Sequence, residues 1–375
     1  MDKIKKNRIC CIFNFASHYR SSIYELMDKE LNCDFYFSDK AKSANLKKMD
    51  YSKLNNFKKE LKYYKIIGDF SWMKGALSLA FKPYKVYFLV GEPYCVSTWL
   101  FLLIAKILNK KTYLWSHGWY GREGFFKRLI KKTFFNLSNK VFLYGNYAKK
   151  LMIENGVSSN KLEVVYNSLD YSTQLEIRNG LTTSNIYNHY FKNDYPVLIY
   201  IGRIQKVKRL DLLIDAMVVL KNKGINTNLM LIGAFDNNEE EFFALINKNK
   251  LRNNVWTYGA CYDEQKIGEF IFNANVCVSP GNVGLTAMHA LVYGTPVITH
   301  DNFKNQMPEF EAIVPDLTGG FFFENDYVDL AVKIKSFLNL SPEKREFVRQ
   351  KSYQKIDLFY NPYSQLEIFK KSISF

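Results

Sequence analysis

At 375 residues, with 47% hydrophobic and 23% charged side chains, the chain has material for two ordinary domains and is neither disordered nor fibrous in character. Residues 1–180 hold 31 Lys and Arg against 15 Asp and Glu, so this half alone carries the whole net charge of +16. That asymmetry points to an anionic partner for one domain (a membrane surface, nucleic acid or a phosphorylated substrate), or to a basic surface that only aids solubility.

The opening "MDKIKKNRICCIFNF" has a basic start and a short apolar run broken by Asn14, which reads as a first strand rather than a signal peptide. Strands are then expected at "CDFYFS", "YYKII", "KVYFLVG", "KTYLWS", "KVFLYG" and "KLEVVYN", and in the second half at "YPVLIYIG", "TNLMLIG", "NVWTYG", "ANVCVS" and "TPVITH". They alternate with helix-period segments, the pattern of βαβ units on parallel sheets. The run "VSTWLFLLIAKILNK" is interrupted by Lys106, well short of the roughly 20 apolar residues of a spanning helix, so a soluble, cytoplasmic protein is expected. The six cysteines form no C-x-x-C pair and mostly lie in apolar runs, as buried thiols do.

The fold class expected is α/β, with two Rossmann-like domains facing a central cleft. The divisions are residues 1–178 as a basic first domain, 179–193 as a polar linker, 194–352 as a second domain, and 353–375 as a helical segment returning toward the first domain. Ligands of such sheets gather at the carboxyl ends of the strands.

Two segments of the second half carry the clearest chemistry. "IYIGRIQKVKRLDLLIDAM" is a strand, a basic loop and an amphipathic helix, with Arg203 and Lys208 placed to neutralise a diphosphate. In "SPGNVGLTAMHALVYGTPVI" the turn at Pro280, Gly281 and Gly284 opens a helix, and the amides near Gly284 and Leu285 are suited to an anion. In the first half His117 follows a strand in "KTYLWSHGWYG", and His18, Tyr19 and Arg20 follow the first strand as acceptor-site candidates. On "FFKRLIKKTFFNL" Phe125, Phe126, Leu129, Ile130, Phe134 and Leu137 share a face opposite Lys127, Arg128, Lys131 and Lys132. This is by default a core-facing helix whose basic back faces water or anionic lipid headgroups. No D-x-D triplet is present, so no metal and no cofactor are expected.

The order "GRIQKVKRLDLLIDA", "LMLIGAFD", "WTYGACYD", "SPGNVGLTAMHALVYGTPVIT" and "MPEFEAI…LTGGFF" resembles the donor domain of retaining glycosyltransferases of family four, which have the GT-B fold. The resemblance covers nearly all of residues 195–325 and extends more weakly upstream, through "KVFLYGNYAKKLMIENGVSSNKLEVVYNSLD". It implies that the first domain binds an acceptor and the second a donor. It also implies that Arg203 and Lys208 are the diphosphate cations, that the Gly284 and Leu285 backbone holds the distal phosphate, and that the base rests near Tyr258 and Tyr262. The family usually has two glutamates eight positions apart, and the matching positions here are Gly281 and His289. His289 is then either a substitute ribose ligand or an ordinary helix histidine. Gly281 and Asn282 lie where the sugar contacts are expected. Glu309 or Glu311 is the candidate replacement acid, the two facing one side if that segment is extended. His117 and Glu309 are the candidate catalytic groups.

The implied activity is retaining transfer of a sugar from a nucleoside diphosphate sugar, UDP-sugar favoured, to a lipid-linked oligosaccharide in surface polysaccharide synthesis. An epimerase or phosphorylase on the same fold is the alternative. A nucleic-acid-binding role is disfavoured because no stacking-rich module accompanies the charge.

Overall fold

The computed structural model describes residues 8–40 and 46–373; the basic start at 1–7 lies outside the described residues. The chain forms two units, Met1–Asp170 with Asn361–Phe375, and Tyr171–Tyr360.

The first unit runs β1 (Ile9–Phe13), α1 (Ser21–Leu31), β2 (Cys33–Ser38), β3 (Phe57–Lys65), β4 (Ser71–Lys74), α2 (Ala76–Leu79), β5 (Val86–Val90), α3 (Val96–Ile107), β6 (Lys111–Ser116), α4 (Phe125–Leu137), β7 (Lys140–Leu143), α5 (Asn146–Glu154) and β8 (Leu162–Val164). Its sheet has the order β4-β3-β2-β1-β5-β6-β7-β8, parallel except for β4, which runs antiparallel to β3. Successive strand side chains point to opposite faces, so β1 divides its residues between two cores. Cys10 and Ile12 join Phe101, Leu102, Phe134 and Phe135 on one face. Ile9, Cys11 and Phe13 join Tyr24, Phe88, Trp115 and Phe369 on the other.

The second unit runs α6 (Tyr171–Gly180), α7 (Ile186–Phe191), β9 (Val197–Ile201), α8 (Leu210–Asn222), β10 (Asn228–Ile232), α9 (Glu239–Lys248), β11 (Val255–Gly259), α10 (Glu264–Asn273), β12 (Val276–Val278), α11 (Thr286–Val292), β13 (Val297–His300), β14 (Gly319–Phe322), α12 (Tyr327–Leu338) and α13 (Pro342–Phe359). Its sheet is parallel in the order β11-β10-β9-β12-β13-β14. The last helix, α14 (Pro362–Ser372), packs in the first unit, with Phe369 against Phe88, Trp115 and Phe142.

Every strand segment read from the sequence carries a strand, while β4 and β14 were not anticipated. Residues 171–178, expected in the first domain, begin α6 and belong to the second unit, as does the stretch expected as a linker, about half of which is helical. Arg178 on α6 forms a two-pronged ion pair with Asp357 on α13 at 2.9 and 3.0 Å, and Tyr187 on α7 donates to the Phe270 carbonyl at 2.6 Å. These helices are held by particular polar partners, so their hydrophobic period is weak. The division at 352/353 is also not seen, because α13 runs through it unbroken.

The amphipathic helix α4 differs from its expected orientation. Phe134 is buried, but Phe125, Phe126, Leu129 and Ile130 are exposed. Lys131, expected on the solvated back, is buried instead, its Nζ 2.6 Å from Glu123 and 3.0 Å from the Gly118 carbonyl. Glu123 also accepts the Tyr120 and Gly121 amides, so a buried carboxylate draws this one lysine inward. Among the described residues, no helix is long and apolar enough to cross a membrane.

Candidate functional site

In the second unit the strand order reverses between β9 and β12. Ligand crevices of open parallel sheets form at such a reversal, beyond the carboxyl ends of the strands. The loop after β9 carries Arg203 and Lys208, and the loop after β12 carries Ser279–Leu285, so the topology joins the two segments singled out in the sequence. The Gly281 amide donates to the Lys208 carbonyl at 2.9 Å, and Lys208 Nζ donates to the Asn282 carbonyl and Oδ1 at 2.7 and 2.6 Å.

Gly281 is the residue that permits this junction. A Cβ there would stand 2.1 Å from the Val207 carbonyl oxygen and 2.8 Å from the Lys208 Cα. The space a side chain would need is filled by backbone, so position 281 presents no group to a sugar. This corrects its expected role as a sugar contact. Asn282 is committed to Lys208 rather than standing open. From the other side, Thr299 Oγ1 donates to the Ser279 and Gly281 carbonyls, and Gln306 accepts the Val283 amide at 2.8 Å while donating to Thr299.

Gly284 has φ +50°, a left-handed turn that glycine adopts readily, and it leads through Leu285 into α11. Neither the Gly284 nor the Leu285 amide has an acceptor among the described residues. Arg203 is exposed and Lys208 half-buried. Burial pulls the Lys208 pKa down to about 8, Glu309 opposes that pull and Arg203 adds to it. Two cations and two open amides therefore converge on one loop pair.

Glu309 and Glu311 do not share a side. Pro308–Ala312 is a 3₁₀ helix rather than an extended segment. Glu309 is buried, with its charge acting on Lys208, whereas Glu311 acts on Lys355 of α13. Tyr258 packs edge-on against Phe270 of α10 at 5.1 Å, while Tyr262 is exposed in the loop after β11.

The residue missed by sequence reasoning is Glu264, in the first turn of α10. His289 Nε2 lies 3.0 and 3.2 Å from its two carboxylate oxygens, and Glu264 Oε1 also accepts from Tyr293 Oη and Gln174 Nε2, each at 2.8 Å. Burial pushes its pKa up, but His289 beside it and bonds from His289, Gln174 and Tyr293 outweigh this and hold it at about 2. An ionised carboxylate only accepts, so His289 Nε2 carries a proton and Nδ1 is the ring's remaining polar atom. A carboxylate thus does adjoin the position where the family keeps one, delivered by another helix. In "CYDEQKIG" the Asp-Glu pair reads only as a helix start, and Asp263 is indeed the cap, accepting the Lys266 amide.

In the first unit, His117 follows β6 and Tyr144 follows β7. The His117 ring lies 4.7 Å from that of Tyr144, and the Arg20 guanidinium lies over the rings of Trp115 and Tyr144 at 5.0 and 5.2 Å. Burial, with Arg20 and Lys131 nearby, lowers the His117 pKa to about 3, so its imidazole is neutral near pH 7. Its Nδ1 has no hydrogen-bond partner among the described residues. Tyr19 is half-buried and His18 exposed in the 3₁₀ turn that places Arg20, so these four candidates form one neighbourhood.

Residues 184–355 match the family described as "Glycosyl transferases group 1". That match covers most of the second unit, which is similar in sequence to the glycosyl transferases of group 1. The chain is 26% identical over 294 residues to an uncharacterized 41.2 kDa protein in the cps region of Klebsiella pneumoniae, spanning 76% of this chain and 71% of that one. It is 28% identical over 201 residues to the capsular polysaccharide biosynthesis glycosyltransferase CapM of Staphylococcus aureus, spanning 51% of this chain and 49% of that one. Its fold is that of Anabaena Alr3699/HepE, whose crystal structure holds UDP, with a TM-score of 0.71 at 13% identity over 96% of this chain and 98% of that one. The two Rossmann-like units therefore have the GT-B fold, and the second carries the match to the glycosyl transferases of group 1.

Proposed function

We propose that this glycosyl transferase moves a sugar from a nucleoside diphosphate sugar, with UDP as the nucleotide, to a hydroxyl of a lipid-linked oligosaccharide in surface polysaccharide synthesis. The transfer retains anomeric configuration, needs no metal and takes place on the cytoplasmic side of the membrane. The observation that carries the reading is the junction of the loops after β9 and β12, with Arg203, Lys208 and the Gly284 and Leu285 amides converging beyond the sheet. Fixed cations and amides stabilise negative charge as it develops on the departing diphosphate, the electrostatic part of the catalysis. His289, oriented by Glu264, offers Nδ1 to a ribose hydroxyl, and the neutral His117 stands as the candidate catalytic group of the first unit. Glu309 serves by holding Lys208 charged.

A thermal-shift panel across UDP-, GDP- and dTDP-sugars tests the donor. At one hundred times Kd a ligand adds about 2.7 kcal/mol of stability. UDP-sugars are expected to give the largest shift, and Arg203→Ala to remove most of it. An unchanged shift in Arg203→Ala refutes the clamp. Proton NMR of the product refutes retention if the anomer is inverted, and loss of turnover in EDTA refutes metal independence.

A further inference from the structure

An exposed apolar cluster on the first unit belongs to neither of its cores. In α4, Phe125 is 70% exposed, Phe126 78% and Leu129 54%, with Ile130 beside them. At about 100° per residue these four cover an arc of about 140°, flanked by Lys127 and Arg128. The turn joining β3 to β4 exposes Ile66, Ile67 and Phe70 as well, Ile67 by 74%.

The two groups lie at one edge of the sheet. β3 and β6 run parallel to their neighbours, so the turn after β3 and the loop from β6 into α4 both leave at the carboxyl edge. The Ser71 amide donates to the Tyr94 carbonyl at 3.0 Å, and Phe70 packs edge-on against Tyr94 at 5.8 Å. Burial, then the charges of Asp69 in that turn and of Glu123 just ahead of α4, raise the Tyr94 hydroxyl pKa, so both segments lie within electrostatic range of the same tyrosine.

The surroundings are cationic. Arg122, Lys127 and Arg128 are exposed around α4, as are Lys62, Lys65 and Lys74 on the hairpin. The acid in the α4 loop, Glu123, is neutralised internally by Lys131. Exposed aromatic and aliphatic side chains flanked by these six cations, against the single exposed acid Asp69 of the turn, complement an anionic bilayer, with charges at the headgroups and rings at their boundary with the acyl chains.

We propose that the carboxyl edge of the first unit docks on an anionic lipid bilayer, with Phe125 and Phe126 of α4 and Ile67 of the β3–β4 turn entering the headgroup boundary. The docking deepens the reading above, resting on it only for the lipid anchor of the acceptor.

The test is co-sedimentation of the full chain with vesicles of phosphatidylglycerol mixed into phosphatidylcholine, against pure phosphatidylcholine. The protein is expected to pellet with the mixed vesicles and not with the neutral ones. F125S/F126S, which leaves charge unchanged, is expected to weaken binding about tenfold or more, as is K127E/R128E. Phe126→Trp is expected to show a blue-shifted emission on mixed vesicles. The UDP-induced thermal shift should be unaltered in every variant, which establishes folding and keeps a failure of docking separate from a failure of the donor reading. No pelleting with either vesicle overturns the proposal, and so does wild-type binding by F125S/F126S. A dimer in gel filtration that F125S/F126S dissolves would assign the face to a second copy and also overturn it.

Discussion

Replacing Gly281 by alanine tests whether the two loops of the donor unit are built as one piece. The new methyl would meet the Val207 carbonyl oxygen at 2.1 Å and the Lys208 Cα at 2.8 Å. Extra methyl groups in packed interiors cost about 1–3 kcal/mol where side chains can move aside. Here the obstacles are main-chain atoms, and the Gly281 amide is also bonded to the Lys208 carbonyl, so the cost belongs at or above the upper end. At about 2–4 °C per kcal/mol for a unit of this size, about 3 kcal/mol lowers the melting temperature by about 6–12 °C. Because Lys208 lies on the displaced loop, the UDP-induced shift should shrink as well. Differential scanning fluorimetry with and without UDP reads both effects. Gly180 is the matched control: a Cβ there meets nothing within 4 Å, so Gly180→Ala should be neutral or stabilising by about 0.4–1 kcal/mol. Gly281→Glu, which restores the family's usual acid, should be at least as damaging as alanine. A G281A protein that melts within about 1 °C of wild type and keeps its UDP shift would refute the reasoning.

Other consequences can be measured independently. The folded Lys208 pKa of about 8 lies below the ordinary 10.5, so the unfolded chain binds more protons between those values and Lys208 contributes a rise in stability with pH there. UDP binding should run the opposite way, weakening about tenfold above pH 8 as the ammonium is lost, and Lys208→Arg should flatten that profile in isothermal titration. Glu264→Gln should cost about 1.5–3 kcal/mol in denaturant unfolding at pH 7, because the bonds it loses are made to a charge. Its folded pKa is depressed, so the wild-type advantage is present above the ordinary value of 4.5 and disappears as pH falls through about 2. Lys131→Met should destabilise by about 3–5 kcal/mol by leaving Glu123 buried and uncompensated, and adding E123Q should restore most of the loss.

The parallel sheets were legible because buried parallel strands write continuous apolar runs, as "YPVLIYIG" and "TNLMLIG" do. The pair of loops at the β9–β12 reversal was legible through its glycines and cations. β4 and β14 were hidden because "SWMK" and "GGFF" are short and lack that signature. The orientation of α4 was hidden because Glu123, two residues before the helix, decides which lysine turns inward. Gly281 was misread because its neighbour is a backbone segment more than 70 residues away, and no local pattern reports such an approach. Glu264 was missed for the same reason: its partners come from α6 and α11, and helix periodicity carries no information about polar contacts across helices.

The bonds from α6 have a practical bearing on how the second unit can be isolated. The match to the family begins at residue 184, which invites excision of a donor domain from that point. Such a fragment would lack Gln174, leaving Glu264 short of one donor beside His289, and would lack Arg178, leaving Asp357 without its cation. The autonomous piece should instead begin at Tyr171. Sequence families mark where resemblance starts; the hydrogen bonds of α6 mark where the folding unit does.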